Sequence, residues 1–147
     1  MNKNDILRRI EHTLRNNIHE LTSALNDYEA GANLDEGDTM DPEDYSQQSE
    51  QRDLKMQMQI QLDQANNQLS KLQGFANKVS SIVEPGALVN TDKNIFFIGL
   101  SLSAQPIDGF DLYCISTDSP AYNAMRGKSE GDHFDIGKET HKITSVK

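Results

Sequence analysis

The chain has 147 residues, 35% apolar and 25% charged, with a net charge of −9; that is enough for one ordinary domain or two small ones and too little for a large enzyme barrel. No run approaches the roughly 18 apolar residues of a spanning helix, and residues 1–9 are polar, so the sequence predicts no membrane span, no secretory leader and a cytosolic protein. The single cysteine, Cys114, excludes an internal disulfide and reads as a packed core thiol in the apolar run Leu112-Tyr113-Cys114-Ile115, where burial keeps a thiol protonated.

The first predicted element is a helix with an apolar stripe at Ile6, Leu7, Ile10, Leu14, Ile18, Leu21, Leu25 and Tyr28, spaced mostly by threes and fours. A second stripe runs through Leu54, Met58, Leu62, Ala65, Leu69, Leu72, Phe75, Val79 and Ile82. An antiparallel pair has a constant sum of facing positions. Leu25 with Leu54, Leu21 with Met58, Leu14 with Ala65, Ile10 with Leu69 and Leu7 with Leu72 share a sum of 79. The pattern predicts an antiparallel coiled-coil hairpin over 1–82 with a tip at about 32–47.

Charge is concentrated there. Residues 16–51 hold ten acids and no Lys or Arg, and six of the ten (Asp35, Glu36, Asp38, Asp41, Glu43, Asp44) fall in the tip. Such a block argues against generic duplex DNA binding and is compatible with a partner that offers a basic or metal-containing cavity. The string Asp41-Pro42-Glu43-Asp44 also reads as a helix start, with an acid at the cap, proline first and acids facing the helix dipole. Both readings stand for Asp41, Glu43 and Asp44. Capping accounts less well for Asp35, Glu36 and Asp38, which precede the cap.

After Ile82, Glu84-Pro85-Gly86 stops the helix. Short β-like runs follow at 87–91, 95–102, 112–116, 133–136 and 141–146, with turns at Asp92-Lys93-Asn94 and Asp108-Gly109. Ser119-Pro120 opens a short helix that Gly127 closes. The prediction is a small domain over 84–147 of five strands and one helix, against which Val79, Ile82 and Val83 would dock the base of the hairpin. The fold class is therefore α+β.

The string Ile115-Ser116-Thr117-Asp118-Ser119-Pro120-Ala121, then Ala124-Met125-Arg126-Gly127-Lys128, then Gly131-Asp132 resembles the signature of the carboxy-terminal domain of the bacterial Gre transcript-cleavage factors. Val83 to Val89 and the strand ending Phe97-Ile98-Gly99 resemble that family's preceding strands. The resemblance implies an FKBP-like sheet domain that docks on RNA polymerase through the segment holding Ser119, Pro120, Gly127, Lys128, Gly131 and Asp132. It also implies a coiled coil that enters the secondary channel and carries tip acids to the active centre and its nascent RNA.

At the tip, Gly37, Asp38 and Tyr45 match the family string. Asp41 and Asp44 stand where the family has glutamates, and Met40 and Pro42 replace its serine and asparagine. The resemblance thus assigns cleavage roles to Asp38, Asp41 and Asp44, with Asp38 and Asp41 as ligands of a Mg²⁺ shared with the polymerase, a hard cation that suits carboxylates. No cofactor is expected to bind the chain stably, no self-contained active site is expected, and the chain is expected to be a monomer. The alternative is a regulator of the same architecture that occupies the channel without cleavage. A peptidyl-prolyl isomerase is disfavoured by the few aromatics outside the core. His12, His19, His133 and His141 are scattered and read as surface or helix-face residues.

Overall fold

The computed structural model describes residues 2–33 and 42–147, and the side chains of 2–29 and 49–147. The fold is α+β: α1 (Lys3–Asn33), α2 (Pro42–Gly74), β1 (Leu88–Thr91), β2 (Ile95–Ile98), β3 (Leu102–Ile107), β4 (Phe110–Ile115), α3 (Pro120–Met125), β5 (His133–Ile136) and β6 (Glu139–Val146). By packing, the chain divides into two compact units, Arg8–Leu69 on the one hand and Met1–Leu7 with Ser70–Lys147 on the other. Among the described residues, no helix is long and apolar enough to cross a membrane.

α1 begins with a reciprocal cap. Asp5 N–H donates to Asn2 Oδ1 at 2.9 Å and Asn2 N–H donates to Asp5 Oδ2 at 3.3 Å, satisfying two of the donors that a helix start leaves free. In the helical unit, Ile10, Leu14 and Leu25 are buried and Ile18 and Leu21 half-buried, as the stripe predicts. α2 runs alongside: Lys55 pairs with Glu29 at 3.3 Å, and Asn17, Glu20, Leu21 and Ala24 share a groove with Gln61 and Ala65. The outermost expected layer differs. Leu25 is buried, whereas Leu54 is 46% exposed, so these two do not form a closed pair.

α2 starts at Pro42 and stops at Gly74, eight residues short of the stripe read from the sequence. Past Gly74 the backbone tightens into turns, with Phe75 N–H donating to Leu72 O and Lys78 N–H to Phe75 O. Val79 is 87% and Ile82 42% exposed, so neither seats the hairpin base; of the three residues expected there, only Val83 is buried. Two causes act together: glycine is the poorest helix former after proline, and Phe75 leaves the helix to pack against Phe97.

The sheet has the order β3-β4-β2-β1-β6-β5. β2 and β4 are parallel, and the remaining neighbours are antiparallel. Six strands form where five were predicted, because the run 95–102 is broken. Gly99 takes φ +109°, and the chain restarts as β3, whose Pro106 is tolerated because β3 is an edge strand. Asp108 and Gly109, at φ 48° and 83°, make the two-residue turn of the β3–β4 hairpin, the conformation that favours Asp-Gly. One face of the central strands buries Val83, Ala87, Val89, Phe96, Ile98, Ile115, Phe134 and Ile143 beneath Met125 of α3. Leu88, Phe97 and Leu112 are also buried, so the run Ile95-Phe96-Phe97-Ile98 is apolar on both faces.

Candidate docking surface and acidic segment

The six residues named from the string 115–132 fall in one stretch between β4 and β5. Ser119 caps α3: its backbone is extended at φ −74°, ψ 139° and its Oγ accepts from Ala121 N–H at 3.3 Å. Pro120 occupies the first helical position, where its missing N–H costs nothing. Met125 anchors the helix in the core. Gly127, at φ +76°, takes the left-handed conformation that commonly ends a helix, and its N–H donates to Val83 O at 3.0 Å. Val83 N–H in turn donates to Lys128 O at 2.8 Å, and Ile82 bridges Ser129.

The turn at Gly131-Asp132 is equally determined. Asp132 Oδ2 accepts from Ser129 N–H at 2.9 Å and from Ser129 Oγ at 3.3 Å. Asp132 N–H donates back to Ser129 O, Gly131 N–H donates to Ile143 O, and Ile143 N–H donates to Asp132 O. The Ser129 backbone N–H, with the Ser129 hydroxyl and the Lys128 charge helping, holds the Asp132 carboxyl below the usual carboxylate range. Ser119, Gly127, Gly131 and Asp132 are thus used by the fold itself. The exposed side chains between 117 and 130 are Thr117, Asp118, Pro120, Asn123, Arg126 and Glu130, with Lys128 half-buried. The 42% exposed Ile82 lies beside them through its bridge to Ser129, and its place there is invisible without the pairing.

Of the tip residues, Asp38 and Asp41 lie outside the described residues. Asp44 sits in the first turn of α2 by its backbone, in the other unit, and its side chain lies outside them too. Among the described residues no group of three potential metal ligands occurs. His12, His19 and His133 are exposed. His141 is not a surface residue: it is 2% exposed, stacks on Phe134 at 5.2 Å and meets Phe96 edge-on at 5.7 Å. Alternation along β6 turns positions 141 and 143 inward. Cys114 is half-buried on β4, and burial pushes its thiol up to about 12, which leaves it unsuited to nucleophilic chemistry.

No family model and no curated protein matches the chain. Among solved structures it is similar to GreA factor homolog 1 of Thermus thermophilus, with 98% of this chain and 94% of that chain aligned, 14% identity and a TM-score of 0.35. That superposition is too loose to define residue correspondences.

Proposed function

We propose that the chain is a Gre-like factor of bacterial RNA polymerase. The sheet unit docks through the surface around α3 and the 127–132 turn, and the acidic segment joining α1 to α2 is carried into the secondary channel toward the active centre. The observation supporting this is that the signature string folds as one locally closed piece, a capped helix followed by a carboxylate-locked turn, on a small sheet that follows two long helices. Those helices are joined by the segment that holds Asp35, Glu36, Asp38 and Asp41.

The charged donors of that segment are carboxylates, hard oxygen ligands that fit Mg²⁺. Asp38 and Asp41 would hold the ion jointly with the polymerase, and the ion would supply a polarised water for phosphodiester hydrolysis. The chain's own contribution is to bind the polymerase, bring hard oxygen ligands and add negative charge next to the ion. A second reading, a regulator that occupies the channel without cleavage, is favoured by the start of α2 at Pro42. That start places Asp44 in a first helical turn, where the dipole already stabilises a carboxylate, and Met40 and Pro42 replace polar residues of the family string.

A backtracked elongation complex incubated with the chain separates the readings. Release of short 3′ RNA fragments that is lost in Asp38→Asn, Asp41→Asn or Asp44→Asn is the result expected for cleavage. Retention on polymerase with slowed elongation and no fragments selects the regulator. Failure to retain core RNA polymerase at low salt refutes both.

A further inference from the structure

α2 carries two sets of apolar residues, and the helical unit uses one of them. The run Met56-Gln57-Met58-Gln59-Ile60-Gln61-Leu62 alternates apolar residues with glutamine. A helix turns about 100° per residue, so alternation sends its apolar side chains to opposite faces. Met58 and Leu62 belong to the stripe shared with α1 and are half-buried. Met56 and Ile60, one turn apart, are 63% and 54% exposed on the outer face.

The polar residues of that outer face, Ser49, Arg52, Asp53, Asp63, Gln64 and Asn67, are all exposed. The nearby cation Lys55 is already paired with Glu29 at 3.3 Å, whereas among the described residues Arg52 and Asp53 make no ion pair. Asp63 Oδ1 accepts from Gln59 Nε2 at 3.1 Å, which leaves the second carboxylate oxygen to an outside donor.

This face is complementary to itself. In an antiparallel pair related by a two-fold axis, contacting positions keep a constant sum and every contact occurs twice. A sum of 116 sets Met56 against the partner's Ile60 and Ser49 against the partner's Asn67; Arg52 meets the partner's Asp63 at 115, and Asp53 meets the partner's Gln64 at 117. The two-fold axis also keeps each flank of the face against the same flank of its partner. At about 100° per residue, Arg52 and Asp63 lie on one flank and Asp53 and Gln64 on the other. Cation therefore meets acid on both sides of an apolar centre, and the two aspartates stay apart.

We propose that the outer face of α2, centred between Met56 and Ile60, is a self-association surface whose occupant is a second copy of the chain packed antiparallel. This departs from the monomer expected from the sequence and does not depend on the function proposed above. The stretch from Ser49 to Asn67 spans about 27 Å, a single helix-on-helix contact. It buries less than the roughly 1,000 Å² of a stable interface, so the dimer is weak, dissociating at about 100 µM.

Sedimentation velocity of the full chain from about 5 to about 500 µM tests this. The wild type should pass from monomer to dimer across that range. Ile60→Gln should weaken association about tenfold without lowering the thermal midpoint, because that side chain is already largely in water. Val79→Gln alters an 87% exposed apolar residue outside the face and should leave association unchanged within about twofold. Arg52→Asp and Asp63→Arg should each weaken it about tenfold. An equimolar mixture of those two variants should associate as tightly as the wild type, because the mixed pair again sets a cation against an acid at both ends. A chain that stays monomeric throughout overturns the proposal and leaves the face to a different protein. Equal weakening by Val79→Gln and Ile60→Gln, or charge variants that the mixture fails to rescue, also overturn it.

Discussion

Replacing Gly99 by alanine tests its close approach to the ring of Phe75, which packs edge-on against Phe97. At φ +109° a side-chain-bearing residue carries strain of about 1–3 kcal/mol. The new Cβ would also stand 3.0 Å from the Phe75 ring, where carbon atoms prefer about 3.5–4.0 Å, and such overpacking costs about 1–3 kcal/mol. The expected loss is therefore about 2–6 kcal/mol. Gly109 is the control: it has φ +83° and nothing within 4 Å of its added Cβ, so Gly109→Ala carries strain alone, about 1–2 kcal/mol. A double-mutant cycle with Phe75→Ala removes the ring that Gly99→Ala collides with, so the pair should be less destabilising than the two losses added, by about 1–3 kcal/mol. Urea unfolding followed by circular dichroism measures all four variants. Equal losses at Gly99 and Gly109, or strict additivity with Phe75→Ala, would refute the contact.

Two further substitutions follow from buried and hydrogen-bonded polar groups. His141 has no partner for Nδ1 among the described residues, and its Nε2 lies 3.7 Å from Glu139 Oε2, too far for a hydrogen bond. His141→Phe keeps a ring against Phe134 and removes an unsatisfied polar atom that costs about 1–3 kcal/mol, so it should raise the thermal midpoint, whereas His141→Ala should lower it; a fall with both would show that Nδ1 is satisfied. Asp92 accepts from Lys142 N–H at 3.0 Å and Asp132 from Ser129 N–H, and these backbone donors hold both carboxyls below their ordinary value. Their stabilisation is complete above the unfolded carboxylate pKa of about 3.9 and is lost as pH falls through the lower folded values. The midpoint should therefore drop below about pH 4, less steeply in Asp92→Asn and Asp132→Asn, and an identical acid profile in both variants would contradict the assignment.

The elements legible in the sequence are those coded by local chemistry. Ser119 and Pro120 specify the start of α3, Asp108-Gly109 a hairpin turn, and Pro42 the first residue of α2, each through a backbone requirement that only a few residue types meet. The stripe of α1 was legible because one face is buried along much of its length. What escaped depends on partners remote in sequence. Phe75, Val79 and Ile82 continue the three-and-four spacing numerically, yet Phe75 is drawn out of the helix by Gly86, Gly99 and Phe97, which lie 11 or more positions away. β3 has large apolar residues only at its ends, Leu102 and Ile107, and its Pro106 reads as a breaker unless its place at the sheet edge is known. His141 became an interior residue through the register of β6, which periodicity cannot fix for a strand whose inward face carries a polar ring. Around the candidate site, the hydrogen bonds of Ser119, Gly127 and Asp132 were foreshadowed by their residue types, whereas the exposure of Ile82 beside them was not.

The observed helix ends sharpen the reading of the acidic segment. A carboxylate in the first turn of a helix is stabilised by the dipole and by free N–H groups, so the start of α2 at Pro42 gives Glu43 and Asp44 a structural reason to be acidic. Asp35, Glu36 and Asp38 precede the cap position at Asp41, so capping supplies no such reason for them, and substitutions there are the ones that separate the proposed channel role from helix capping.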